Sequence, residues 1–153
     1  MVDAVRVPVI AGGGIADGRG IAATFALGAS GVQMNTAVLT CPEAATPSPH
    51  RRALLARRDV GTRLTRVLSG HWARVLRNRF VEEMAAVENE VLPFPMQFSL
   101  IALLRRASVE RDSDGFLAMW AGQGASLARA LPAGELVETL VEEVRAVSRL
   151  AKL

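Results

Sequence analysis

The chain has 153 residues, half of them hydrophobic, and a slightly positive mean hydropathy. That composition excludes a disordered polymer and supplies enough material for a single core. The net charge of +3 is too small to mark a polyanion binder, and no apolar run approaches the ~20 residues of a membrane helix. The first seven residues carry neither the basic nor the apolar region of a secretory leader. One cysteine, Cys41, allows no internal disulfide and suits a reducing, cytoplasmic setting. With only His50 and His71 beside it, no metal-ligand cluster can be assembled from spacing.

Val7 to Ile10 is a continuous apolar run with β-branched residues, the pattern of a strand buried on both faces of a parallel sheet. Gly12, Gly13 and Gly14 end it. Asp17 is placed to cap a helix reaching Leu27, with Ile21, Ala22, Phe25 and Ala26 on one face and Gly28 at the left-handed exit position. Gly31 to Met34 returns as a second strand, which the helical crossover makes parallel to the first. Cys41 to Pro49, with three prolines, reads as a loop. A helix is expected over His50 to Arg57, and Arg63 to Leu68 as a short extended piece or another helical turn.

From His71 onward the pattern becomes mostly helical: Trp72 to Arg77 with Phe80 to Val87, then Met96 to Ala107 beyond Pro93 and Pro95. Gly115 to Trp120 is expected as a short helix before the Gly122-Gln-Gly124 turn. The last helix starts near Pro132 and buries Leu136, Leu140, Val144, Val147 and Ala151. The fold class is α/β, with residues 1–70 carrying the βα units and residues 71–153 a helical segment packed on them. Two parallel strands expose unpaired edges, and a (β/α)8 barrel takes ~250 residues. The expectation is therefore the C-terminal part of such a TIM barrel, with upstream strands missing.

Glycines at a strand end let main-chain N–H groups approach an anion without obstruction, and a helix amino end adds favourable partial charge. Gly12 to Gly14 alone is a weak signal. Gln33 to Thr36, one βα unit later, strengthens it, because barrel phosphate sites lie in the loops after the last two strands.

These motifs resemble the nitronate monooxygenase family, formerly called 2-nitropropane dioxygenases. The resemblance lies in Val9-Ile-Ala-Gly-Gly-Gly-Ile-Ala-Asp-Gly-Arg-Gly20 and Leu27-Gly-Ala-Ser-Gly-Val-Gln-Met-Asn-Thr-Ala37. It continues through Gly70-His-Trp-Ala-Arg-Val-Leu-Arg-Asn-Arg-Phe80, Pro93-Phe-Pro95, Met119-Trp-Ala-Gly-Gln123 and Leu131-Pro-Ala-Gly-Glu135, always as the family's C-terminal portion. It implies an FMN-dependent flavoprotein oxidising alkyl nitronates with O2. Gly13 and Gly14 would offer backbone to the FMN phosphate, and Gln33, Met34, Asn35 and Thr36 would line it from the next strand. The family usually has glycine where this chain has Asn35. Its catalytic histidine belongs to a Gly-Gly-His motif that this chain lacks; His50 and His71 match no catalytic position, so no catalytic residue is assigned. The alternatives are a relative of flavin-dependent enoyl-acyl-carrier-protein reductase, or a non-catalytic remnant pairing with a separately encoded half.

The remaining candidates read as structural. Trp120 is taken as a packing aromatic ahead of a glycine turn rather than, with Gln123, part of a substrate mouth. His50 to Phe80 holds nine arginines against one acidic residue, Asp59. The glutamates that follow make this a solvated, ion-paired face and not a grip for nucleic acid or an anionic cofactor. Cys41 is expected to be a buried, inert thiol, and the adjacent Glu82 and Glu83 surface charges.

Overall fold

A computed structural model describes residues 1–56 and 61–150. The βαβ unit forms as the sequence dictates, one notch further along. Strand β1 (Ile10–Gly12) and strand β2 (Gly31–Gln33) pair in parallel, with Ile10 opposite Gly31 and Gly12 opposite Gln33. The first strand starts at Ile10 and not Val7, and it is not buried on both faces. Val7 and Ile10 are 68% and 58% exposed, because no strand among the described residues pairs with the outer edge of either. Helix α1 (Gly18–Ala26) joins them. The Asp17 side chain accepts the Gly20 N–H at 2.9 Å, the expected N-cap. At the far end Gly28, at φ +89°, donates to Phe25 O while Ala29 donates to Thr24 O, the paired bonds of a Schellman motif.

After a 3-10 turn over Thr36–Val38, helix α2 covers Ser48–Ala56; the expected end at Arg57 lies outside the described residues. Of the two readings for Arg63 to Leu68 the extended one forms, and it is the stretch after His71 that departs from its predicted helical character. Strand β3 (Thr62–Thr65) pairs antiparallel with strand β4 (Ala73–Leu76), across the 70/71 junction. Within the expected Trp72 to Arg77 helix, Ala73–Leu76 is therefore strand, although Ala, Leu and Arg favour helix locally. Burial of Val75 and Leu76 within two core clusters outweighs a propensity of a few tenths of a kcal/mol per residue. Gly115 to Trp120 is likewise extended at its end. Leu76 N donates to Met119 O, Ala121 N donates to Arg74 O, and Trp120 bridges Val75.

Helix α3 (Arg79–Glu83) runs into a 3-10 stretch over Met84–Glu90, followed by α4 (Met96–Leu100) and α5 (Ala102–Glu110), which divide the expected 96–107 helix at Ile101. A 3-10 turn (Gln123–Leu127) precedes helix α6 (Ala133–Leu150). Leu136 and Leu140 of α6 are buried with Ile21 and Cys41, and Val144 packs against them. Val147 is half-buried, and Ala151 lies outside the described residues. Helices α1 and α6 meet so closely at Gly18 that a Cβ there would come 2.2 Å from the Glu143 Cβ. The N-terminal βαβ unit and the C-terminal helix thus share one core. A second core joins α2 to Leu76, Met119 and Ala121, and a third joins Val67, Val75, Phe80 and Ile101.

Candidate functional site

The carboxyl ends of β1 and β2 open into a cleft of about 470 Å³, within the usual range for a small-molecule site. Gly12, Gly13, Gly14, Gln33, Asn35 and Thr36 all line it. Five of the six residues expected from sequence are thus brought together. Met34 is not: its side chain packs with the α1/α6 cluster and lines an apolar groove there. Alternation along an extended segment puts neighbours on opposite sides, so Gln33 and Asn35 meet the cleft and Met34 does not.

Gly13 and Gly14 hold φ +104° and +71°, where a side chain strains the backbone, and nothing lies within 4 Å of a Cβ placed on Gly13. Asn35 adopts φ −115°, ψ −64°, a right-handed conformation that any residue reaches, so its replacement of glycine needs no left-handed tolerance. The Thr36 hydroxyl oxygen accepts the Gly122 N–H at 2.9 Å, leaving its own proton to donate. The amino end of α1 contributes less than expected. Its Gly18 and Gly20 N–H groups are already held by the carboxylates of Glu143 (2.8 Å) and Asp17 (2.9 Å).

Another wall comes from residues far along the chain: Ala73, Arg74, Trp120, Ala121, Gly122 and Gly124. The Gly122–Gly124 turn presses against the glycine loop, and a Cβ on Gly124 would lie 2.4 Å from Gly14 O. Trp120 is half-buried and lines the cleft while packing on the core behind it; Gln123, weighed with it from sequence, does not line the cleft. His50 lies buried beneath this wall and donates from Nε2 to the Trp120 carbonyl oxygen at 3.1 Å. Burial lowers its pKa, against a smaller opposing effect of that bond. His71 is exposed and stacks at a tilt on Phe94. Neither histidine lines the cleft.

The sequence reading assigns Arg74 to the solvated face of the arginine-rich run; the structure instead sets it against the cleft. Much of that run is ion-paired, as expected: Arg63 with Glu82 and Glu88, Arg77 with Glu82, Arg79 with Glu83. Cys41 is buried, and burial pushes its thiol pKa up. No group of three potential metal ligands occurs among the described residues, and no helix among them is long and apolar enough to cross a membrane.

Residues 1–143 match the family model described as nitronate monooxygenase. A nitronate monooxygenase of Pseudomonas aeruginosa is 49% identical over 140 residues, covering 91% of this chain and 40% of its own length. Among solved structures, nitroalkane oxidase from Streptomyces ansochromogenes superposes with a TM-score of 0.90 at 42% identity, covering 99% of this chain and 43% of that one. FabK from Thermotoga maritima gives 0.82 at 32% identity, covering 99% and 48%. The chain spans about two-fifths of the length of the curated relative described above.

Proposed function

The chain belongs to the nitronate monooxygenase family, and we propose that it is the phosphate-gripping part of an FMN-dependent oxidoreductase acting on alkyl nitronates with O2. The observation that carries this reading is the convergence of the tips of β1 and β2 on one cleft. There, two glycines at positive φ present backbone beside Gln33, Asn35 and Thr36. The residues fit a phosphate monoester: the loop is free of side chains at Gly13, and no carboxylate among the described residues lines the cleft.

Main-chain N–H groups of Gly13 and Gly14 would hold the phosphate of FMN, with the Thr36 hydroxyl donating from the next strand. FMN, when bound, supplies the redox chemistry between the nitronate and O2. The role of this chain's residues is to bind and orient. Gly122 and Gly124 hold the loop in place, and Trp120 supplies an apolar wall. Among the described residues no histidine or carboxylate lines the cleft, and no proton transfer is assigned to them. The reading places the protein in the cytoplasm, with a small-molecule substrate and neither nucleic acid nor membrane as partner.

Calorimetric titration with FMN tests the proposal. Saturable one-to-one binding is expected, lost or weakened at least tenfold in Gly13→Val, whose side chain strains the φ +104° backbone and enters the open space above the loop. Equal FMN binding by Gly13→Val, or none by the unaltered chain, would overturn it. With FMN bound and a nitronate added, the chain alone should consume no oxygen above background in an electrode assay.

A further inference from the structure

Arg74 is the only charged residue among the described ones that line the cleft. Among the described residues it has no carboxylate partner; its recorded side-chain bond runs from Nη1 to the Thr62 hydroxyl oxygen at 3.2 Å. A guanidinium has five N–H donors, so this tether orients the group and leaves most of its capacity unused. Its backbone is fixed as well. Arg74 sits in β4 opposite Leu64, and its carbonyl oxygen accepts the Ala121 N–H at 3.0 Å. Its arginine neighbours in sequence differ: Arg77 and Arg79 are engaged with Glu82 and Glu83 at the surface. A half-buried cation held on a strand, with no carboxylate beside it or lining the cleft among the described residues, is open to an anion.

We infer that Arg74 supplies the counter-charge for the phosphate in this cleft, so that the site selects a phosphorylated flavin over its unphosphorylated form. The inference rests on the FMN reading above. Glycine amides bring partial charges and geometry. They carry no formal charge, and a phosphate monoester is close to a dianion at neutral pH. A planar guanidinium adds that charge and pairs with two phosphate oxygens at once.

The test compares FMN with riboflavin by calorimetry on the unaltered chain, Arg74→Gln and Arg74→Lys, over a range of salt concentrations. Arg74→Gln should weaken FMN on the order of 10- to 100-fold, the range for a lost charge-assisted bond. Riboflavin should stay within about twofold, and the salt dependence of FMN binding should flatten. Arg74→Lys should recover part of the loss. Thr62→Val, which cuts the tether and leaves the charge, should cost FMN a smaller factor and riboflavin none; it serves equally should Arg74→Gln fail to fold. If FMN binds Arg74→Gln as well as the unaltered chain, the role of Arg74 is refuted and the FMN reading stands. If FMN and riboflavin weaken together, Arg74 is a packing residue and the inference fails. If the unaltered chain binds no FMN, both fail.

Discussion

A methyl group on Gly124 would sit 2.4 Å from the Gly14 carbonyl oxygen, so the glycine loop and the turn beside it can only approach as they do with hydrogen there. Because the obstacle is backbone, Gly124→Ala should cost ~1–3 kcal/mol through forced displacement. Urea unfolding measures this, and a change below ~0.5 kcal/mol would show that the loop yields freely. Glu143 works at the same scale. Its carboxylate binds Arg129 at 2.7 Å and the Gly18 N–H at 2.8 Å. Those bonds lower its pKa, the Arg129 contribution being the larger, against an opposing effect of burial. The bond from Gly20 likewise lowers Asp17, ahead of burial's opposing effect and the help of Arg19. Native values below the unfolded ones mean stability that is complete above the ordinary carboxylate range and lost as pH falls through the lowered values. Glu143→Gln should therefore flatten the acid limb of a stability–pH curve below about pH 5; an unchanged limb would assign the acid sensitivity elsewhere. The sequence disclosed Asp17 as a cap, because a cap's partner is local. Glu143 was hidden, since its partner lies 125 residues away.

At the scale of elements, that same distinction decides what could be read. Helix α1 was legible from Asp17 to Gly28 because its cap, apolar face and exit are all local signals. Strand β4 was not, because Ala73–Leu76 becomes strand only by pairing with Thr62–Thr65 and bridging Trp120. Five of the six residues that the sequence put on the two strand tips likewise line the cleft. It missed the wall built by Arg74 and by the turn after Trp120, which tertiary pairing brings in. Asn78 fastens that wall. Its Oδ1 caps α3 by accepting the Val81 N–H, while Nδ2 donates to Asp114 O (2.7 Å) and Leu117 O (2.9 Å), all in a buried setting. Asn78→Ala removes the cap and strands two acceptors, for a combined loss of ~2–4 kcal/mol. Chemical denaturation checks this, and a loss under ~1 kcal/mol would mean that water replaces the amide.

At the scale of the whole molecule, the described residues leave one side of the βαβ unit uncovered. Ile10 and Val7 stand exposed on the strand side, and Phe25, Val137 and Val141 flank an apolar groove of about 450 Å³ between α1, β2 and α6. Exposed apolar surface beside unpaired strand edges favours association. Concentration-dependent sedimentation is expected for the chain alone, diminished in a Phe25→Lys/Val141→Lys double variant; identical sedimentation of the two would locate the contact elsewhere. The placement of the two tryptophans has a separate, practical consequence. Trp120 borders the cleft, whereas Trp72 is 57% exposed to solvent. In a Trp72→Phe background the remaining indole becomes a single built-in emitter beside the ligand, whose light a nearby isoalloxazine would absorb. Occupancy could then be followed in real time, without a label, by the dimming of one residue.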